Sequence, residues 1–247
     1  MSIAEVACFH IESDLLSSKE KPFLSEAPRD SPTATLRAQI AHGLRVLGKM
    51  SKSTFHLLQD IEDPSYFYYV GKWRSKEAYV EFSKSADRDE VVGSLQDCKA
   101  VMDWRSLYKI ESLRDWETSI VSHLLHKTQP LLSGKVIGIG RNNVAPEDMD
   151  KFHETLSKSR VEMERYSGYK NVIAQEIPID VGDGWSSSES TSQQKEDVRI
   201  EFVMLSGWAS VEQYRDFRSS DRYMEFAQVR EWTKWFDRKV AKLIPLE

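Results

Sequence analysis

The phrase "GKWRSKEAYVEFSKSADR", beginning at Gly71, returns in altered form as "SGWASVEQYRDFRSSDR", beginning at Ser206. Trp73 and Trp208 lie 135 positions apart, and at that offset Ser75 meets Ser210, Glu77 meets Glu212, Tyr79 meets Tyr214 and Phe82 meets Phe217. After one dropped residue, Asp87-Arg88 meets Asp221-Arg222. A repeat that preserves its aromatic spacing points to a repeated structural unit. Two copies are too few for a solenoid, so the expectation is two related domains in a chain of 247 residues. The expected boundaries are 1–112 for the first domain, 113–134 for a linker and 135–247 for the second.

The runs between these landmarks repeat as well. "IAEVACFHI" is short and rich in strand formers. "TATLRAQIAHGLRVLGKM" places Leu36, Ile40, Leu44 and Leu47 at helical spacing. "STFHLLQDIED" and "SYFYYVGKW" flank the turn signal Asp63-Pro64, as a hairpin would. Ser75 is placed to cap a helix carrying Ala78, Tyr79 and Phe82, helical sequence runs on to about Ala100, and "DWRSLYKIE" closes the unit as a strand. In the second half "KVIGIGRNNV" is a strand. "APEDMDKFHETLSKSRVEMERY" is a helix with Pro146 and acids in its first turn and the stripe Met149, Phe152, Leu156, Met163. "YKNVIAQEIPID" and "VRIEFVMLSGW" are strands. "EFAQVREWTKWFDRKVAKLIPL" continues as helix, with at most a short strand at its end. The polar stretches "ESDLLSSKEKPFLSEAPRDSP" and "VGDGWSSSESTSQQKED" are expected to be irregular.

Each half therefore has the order β-α-β-β-α-β of a ferredoxin-like unit. The fold class is α+β. A sheet with both helices on one face must cover the other, since burial is worth roughly 25 cal/mol per Å² of apolar area. The simplest cover is the sheet of the other half.

Composition narrows the function classes. Thirty per cent of residues are charged, 40% are hydrophobic, and the net charge is −5. That is a soluble, globular composition, and its sign disfavours nucleic acid as the ligand. Only Cys8 and Cys98 are present, without metal-site spacing. "MSIAEVACFH" lacks the basic start and long apolar run of a signal peptide, and no segment reaches the ~20 apolar residues of a membrane helix, so a cytoplasmic location is expected. No nucleophile elbow, P-loop, dinucleotide fingerprint or H-E-x-x-H motif occurs.

The pattern W-x-S-x-E-x-Y-x-x-F after a strand, carried by Trp73-Arg74-Ser75 and Trp208-Ala209-Ser210, resembles the dimeric α/β-barrel superfamily, and within it the antibiotic-biosynthesis-monooxygenase-like domains. The resemblance spans both halves outside the loops. It implies that two ferredoxin-like domains pair sheet to sheet as an intramolecular barrel. Members include cofactor-free monooxygenases of aromatic polyketides, polyketide cyclases, muconolactone isomerases, haem-degrading enzymes and stress proteins, so fold does not settle function. Tyr79 and Tyr214 match the catalytic Tyr of the plant polyketide cyclase. The position of that enzyme's His holds Ser85 and Ser220 here. The axial His of haem-degrading members has no counterpart in Asp87–Val92 or Asp221–Gln228.

Other candidates come from the residues themselves. His10 stands at the end of the first strand, where a base near pKa ~6.5 would be poised. His56 alternates with Phe55 and Leu57, so it faces either a pocket or solvent. His153 flanks the helix stripe and could line an interior chamber or cap a carbonyl. His123 and His126 lie three apart without a third ligand. Glu201, between Ile200 and Phe202, is either a buried carboxylate or an exposed strand residue. The catalytic candidates are thus Tyr214, His10, Tyr79, His153 and Glu201. Tyr68, Trp73, Trp208, His56 and Phe217 are candidates for holding a flat ligand in a chamber of roughly 300–1,000 Å³.

The expected function is a cofactor-independent enzyme of small-molecule metabolism, performing cyclisation, isomerisation or rearrangement by acid/base chemistry on a hydrophobic or aromatic metabolite. No cofactor or metal is expected. No nucleic acid or membrane partner is expected either, and the chain would be a monomer with an internal pseudo-dimer or a homodimer. The alternatives are a cofactor-free monooxygenase of an aromatic polyketide and a non-catalytic ligand-binding or stress-response barrel.

Overall fold

The computed structural model describes residues 3–11, 32–97, 100–110, 129, 131–177 and 199–244. The polar stretches as far as Asp30-Ser31 and over 181–197, most of the linker, and His123 and His126 with it lie outside these residues. Two compact units are present. The first holds the described residues 3–11, 32–97, 100–109, 177 and 242–244, and the second holds 110, 129, 131–176 and 199–241.

The first unit runs β1 (Ile3–Ile11), α1 (Pro32–Ser51), β2 (His56–Asp60), β3 (Tyr66–Trp73), α2 (Lys76–Ser83), α3 (Ala86–Asp97) and β4 (Ala100–Ile110). Its strands lie in the order β4-β1-β3-β2, and β1 is antiparallel to both neighbours. This is the ferredoxin-like order, with the first and third strands central. Residues of alternate parity on β1 and β3 (Ile3, Ala7, Phe9, Phe67, Tyr69, Trp73) join Leu36, Ile40, Leu44 and Leu47 of α1 and Tyr79 and Phe82 of α2 in one core. The other parity, Ala4, Val6, Cys8, Tyr68 and Val70, is buried too. A strand buried on both faces is uniformly apolar, as "IAEVACFHI" nearly is.

The second unit runs β5 (Val136–Val144), a 3₁₀ turn at Pro146–Asp148, α4 (Met149–Ser167), β6 (Asn171–Glu176), β7 (Ile200–Trp208), α5 (Val211–Arg218), α6 (Asp221–Ala227), a 3₁₀ turn at Gln228–Trp232, and β8 (Trp235–Ile244). Its strand order, β8-β5-β7-β6, is the same one. The α+β class stands as expected, with eight strands among the described residues.

One expectation is corrected. The stretch from Glu225 onward does not continue as helix. It leaves the α-helix at Ala227 and forms the ten-residue strand β8 beside β5. Val240, Ala241 and Ile244 satisfy helical spacing, but Arg238, Val240 and Ile244 equally satisfy the two-residue period of a strand. The open place beside β5, not the local pattern, decides between them.

Candidate active site

Ser75 and Ser210 cap α2 and α5, each accepting a hydrogen bond from the backbone N–H three residues on, at 3.2 Å. The caps begin each helix one turn ahead of its Tyr and Phe, which return over the Trp that ends the preceding strand. Trp73 stands edge to face with Tyr79 at 5.5 Å and 83°, and tilted on Phe82 at 5.0 Å and 35°. Trp208 repeats this with Tyr214 at 5.3 Å and 81°, and with Phe217 at 5.2 Å and 41°. The shared phrase therefore encodes a shared aromatic triad.

What lies beneath the two triads differs. In the first unit Glu5 sits opposite Gly71 on β3, wholly buried. Its Oε1 accepts from the Tyr69 hydroxyl at 2.9 Å and from Nε of Arg105, and its Oε2 accepts from Nε1 of Trp73 at 2.6 Å. Arg105 also lies over the Tyr79 ring, 5.1 Å from its centroid. Burial is the strongest influence on Arg105 and opposes its charge, but Glu5, Tyr69 and Tyr79 together outweigh it and raise its pKa above the ordinary guanidinium value. Burial likewise pushes the Tyr69 phenol well above its ordinary value, against the pull of Arg105. The Phe55 ring covers Gly71 so closely that a Cβ there would stand 2.2 Å from it.

In the second unit the position opposite β7 is Gly138, facing Ser206. The indole Nε1 of Trp208 donates to the Ser206 hydroxyl at 2.9 Å instead of to a carboxylate. Beyond it opens a cavity lined by Gly138, Gly140, Met204, Trp208, Tyr214 and Arg238, among others. It encloses about 280 Å³ free of atoms, counted to its open side, of which about 10 Å³ admits the centre of a water molecule. That is room for about one water, far less than the chamber expected for a flat aromatic ligand. Met163, Met204, Arg218 and Arg238 narrow the cavity, and the two methionines are the flexible members of the lining.

The cavity is cationic. Arg238 donates to the Tyr223 hydroxyl at 3.1 Å, and Arg230 donates to the same oxygen at 2.6 Å. Arg218, exposed at the rim, lies 5.9 Å from the centroids of Tyr214 and Tyr223. No ion pair joins any of these three arginines to a carboxylate among the described residues. Burial, reinforced by the like charges of Arg230 and Arg218, lowers the pKa of Arg238 against the opposing influence of Tyr214 and Tyr223.

Of the sequence candidates, Tyr214, Trp208 and Phe217 come together in this lining. Tyr79 and Trp73 form the matching triad above Glu5. His10 stands on the β1 parity turned from the helices, its Nδ1 3.1 Å from both oxygens of Asp103, beside Tyr66 at 5.5 Å. Tyr68 shares that parity and donates to Asp60 at 3.0 Å. His56, half-buried, pairs with Val70. Glu201 is the buried carboxylate of its two readings and takes both Nε and a terminal nitrogen of Arg141, at 2.9 and 2.6 Å. His153 does not line a chamber: it is exposed on α4, edge-on to Phe202 at 5.2 Å, because its position lies just past the buried Phe152.

Glu5, Arg105, Gly138, Arg218, Arg230 and Arg238 escaped the sequence reading. Glu5 carried a signal, as the lone acid on the apolar parity Ile3, Ala7, Phe9, Ile11. The alternating glycines of "IGIG" carried another, since they remove side chains from the matching face of β5.

Haem, which the resemblance admits through its haem-degrading members, does not fit here. No histidine lines the cavity, and its free space is that of a water. Among the described residues no cluster of His, Cys, Asp and Glu could hold a metal ion, and no helix is long and apolar enough to cross a membrane.

No family model matches the chain, and no curated protein matches it in sequence. Solved structures do match in shape. A "putative monooxygenase" from Fusobacterium nucleatum subsp. nucleatum is similar with a TM-score of 0.58 at 9% identity, over 100% of this chain and 94% of that one. An anthrone oxidase-like protein matches at 0.55 and 9%, over 99% and 92%. The chlorite dismutase of Candidatus Nitrospira defluvii matches at 0.55 and 9%, over 99% and 91%. At such identities the likeness is one of fold: across its length this chain has the α+β fold of those proteins.

Proposed function

We propose that the chain is an enzyme acting on a small organic molecule at the Tyr214 cavity, by proton-transfer chemistry that needs no bound cofactor. The observation that carries this reading is the meeting of Tyr214 with Arg218 and Arg238 in one lining, with space beside them. A hydroxyl donor and cations suit an oxygen that gains negative charge in the transition state. A C–H bond next to a substrate carbonyl would give its proton to water, and its electron pair would move onto the carbonyl oxygen. Tyr214 would donate to that enolate oxygen while Arg238 opposes its charge. Reprotonation at another carbon completes an isomerisation; attack of the enolate carbon on a second carbonyl closes a ring. The lining holds no imidazole or carboxylate, so solvent water at the open side would take the base's place.

Oxygenation is the second reading, favoured by the fold shared with the Fusobacterium and anthrone oxidase-like proteins. The same carbanion would then meet dioxygen. Incubating the protein with anthrone under air and under nitrogen, with oxygen uptake followed, separates the two. Product under nitrogen supports proton transfer, and oxygen uptake in step with product supports oxygenation. Turnover equal in the wild type and Tyr214→Phe would remove the cavity from either. The His10–Asp103 pair is the competing base, and loss of turnover in His10→Ala with Tyr214→Phe unaffected would move the site there.

A further inference from the structure

We infer that the cavity of the second unit takes the negatively charged group of its ligand, a carboxylate, in the place that the first unit fills with the carboxylate of Glu5. The inference rests on the reading of that cavity as the working site and names the class of molecule it holds.

The protein supplies its own comparison. Glu5 and Gly138 occupy matching positions, each opposite the residue two before the triad tryptophan: Gly71 and Ser206. Both last strands bring an arginine to the space under the triad, Arg105 on β4 and Arg238 on β8. In the first unit the glutamate neutralises its arginine and takes the tryptophan N–H. In the second the carboxylate is missing, the Ser206 hydroxyl lies 2.6 Å from where a Cβ on Gly138 would stand, the cavity opens beside it, and the tryptophan N–H turns to that serine. The positive charge has meanwhile grown, since Arg218 and Arg230 join Arg238 around Tyr223.

Three guanidiniums with no carboxylate paired to them among the described residues repel one another, and a partly buried charge is costly until it is paired. An anionic ligand relieves both. A carboxylate suits the guanidinium fork, and the Ser206 hydroxyl, which accepts from Trp208, has its own O–H to give as a further donor. The head group takes its room by displacing the flexible side chains of Met163 and Met204, with the rest of the molecule at the open side, against the ring of Phe226.

The test uses the full chain with benzoate as probe and benzamide as its uncharged counterpart, read by calorimetry and by indole fluorescence. Benzoate is expected to bind saturably and raise the melting temperature, with benzamide at least about tenfold weaker. Arg238→Gln is expected to weaken benzoate about ten- to a hundredfold, the range for hydrogen bonds to charged groups. The double variant Gly138→Glu/Ser206→Gly rebuilds the first unit's arrangement. It should abolish benzoate binding and melt at a higher temperature than the wild type. Equal binding of benzoate and benzamide, unchanged benzoate affinity in Arg238→Gln, or no saturable benzoate binding would each overturn the assignment. Should the double variant fail to fold, the Arg238→Gln and benzamide comparisons still decide. Benzoate binding in a protein without turnover overturns only the enzymatic reading. Turnover of uncharged substrates that benzoate does not inhibit overturns only the anion.

Discussion

Trp73 donates its indole N–H to Oε2 of Glu5 at 2.6 Å, inside a unit where Glu5 has no solvent exposure at all. The bond places a carboxylate, an arginine and two aromatic donors in one buried network, each completing the others.

Removing the charge from that network should be costly. Glu5→Gln keeps the shape but takes from Arg105 the buried carboxylate that it pairs with. The expected loss of stability is about 3–5 kcal/mol, the range for breaking one side of a buried pair. Urea denaturation of wild type and variant measures it. A change below about 1 kcal/mol, the level of an exposed pair, would mean that Arg105 finds another partner.

The same network sets an alkaline limit. Tyr69 in the folded chain ionises well above its ordinary value, and burial is the main cause. Unfolded tyrosine ionises near pH ~10. The stability it contributes is fully present below that pH and is lost as pH rises from there through the folded pKa, because the unfolded chain gives up its proton first. Melting temperatures of the wild type should therefore fall above pH ~10. Those of Tyr69→Phe, lower at neutral pH, should fall less steeply over the same interval.

The two serine caps have equal geometry, so they should have similar worth. Ser75→Ala and Ser210→Ala are each expected to lose about 1 kcal/mol, and the corresponding Gly variants only a few tenths. Thermal denaturation of the four variants checks this. A loss confined to one unit would show that neighbours of the other helix carry its first turn.

The two triad tyrosines should part in function although they match in geometry. Tyr214→Phe is expected to lower turnover by about 10²-fold or more, as loss of a positioned proton donor does. Tyr79→Phe, above a space occupied by Glu5, should leave turnover within about twofold on the same scale. Steady-state rates on one substrate decide it, with melting temperatures showing that both variants fold.

Trp73, Ser75, Tyr79 and Phe82 could be placed from the sequence because their relations are local. A cap three residues from its N–H and rings three or four positions apart obey helix geometry wherever the helix lies. The stripe of α1 and the strand character of β1 are legible for the same reason. The failures are of two kinds. Residues 234–244 satisfy both periods, so only the place beside β5 could choose. His153 stands one position from the buried stripe, and 100° of helix rotation turns a lining residue into an exposed one.

By itself the sequence determined the repeated strand–cap–helix phrase, the aromatic triads it builds and the α+β class, since periodicity and capping act over a few residues. Only the tertiary structure decided what lies beneath each triad. Glu5 meets Tyr69, Trp73 and Arg105 across 64, 68 and 100 positions of chain, and Gly138 meets Ser206 across the sheet. No local pattern encodes a contact at such distance. Charge and space at the two sites follow from which side chains the folded strands bring together.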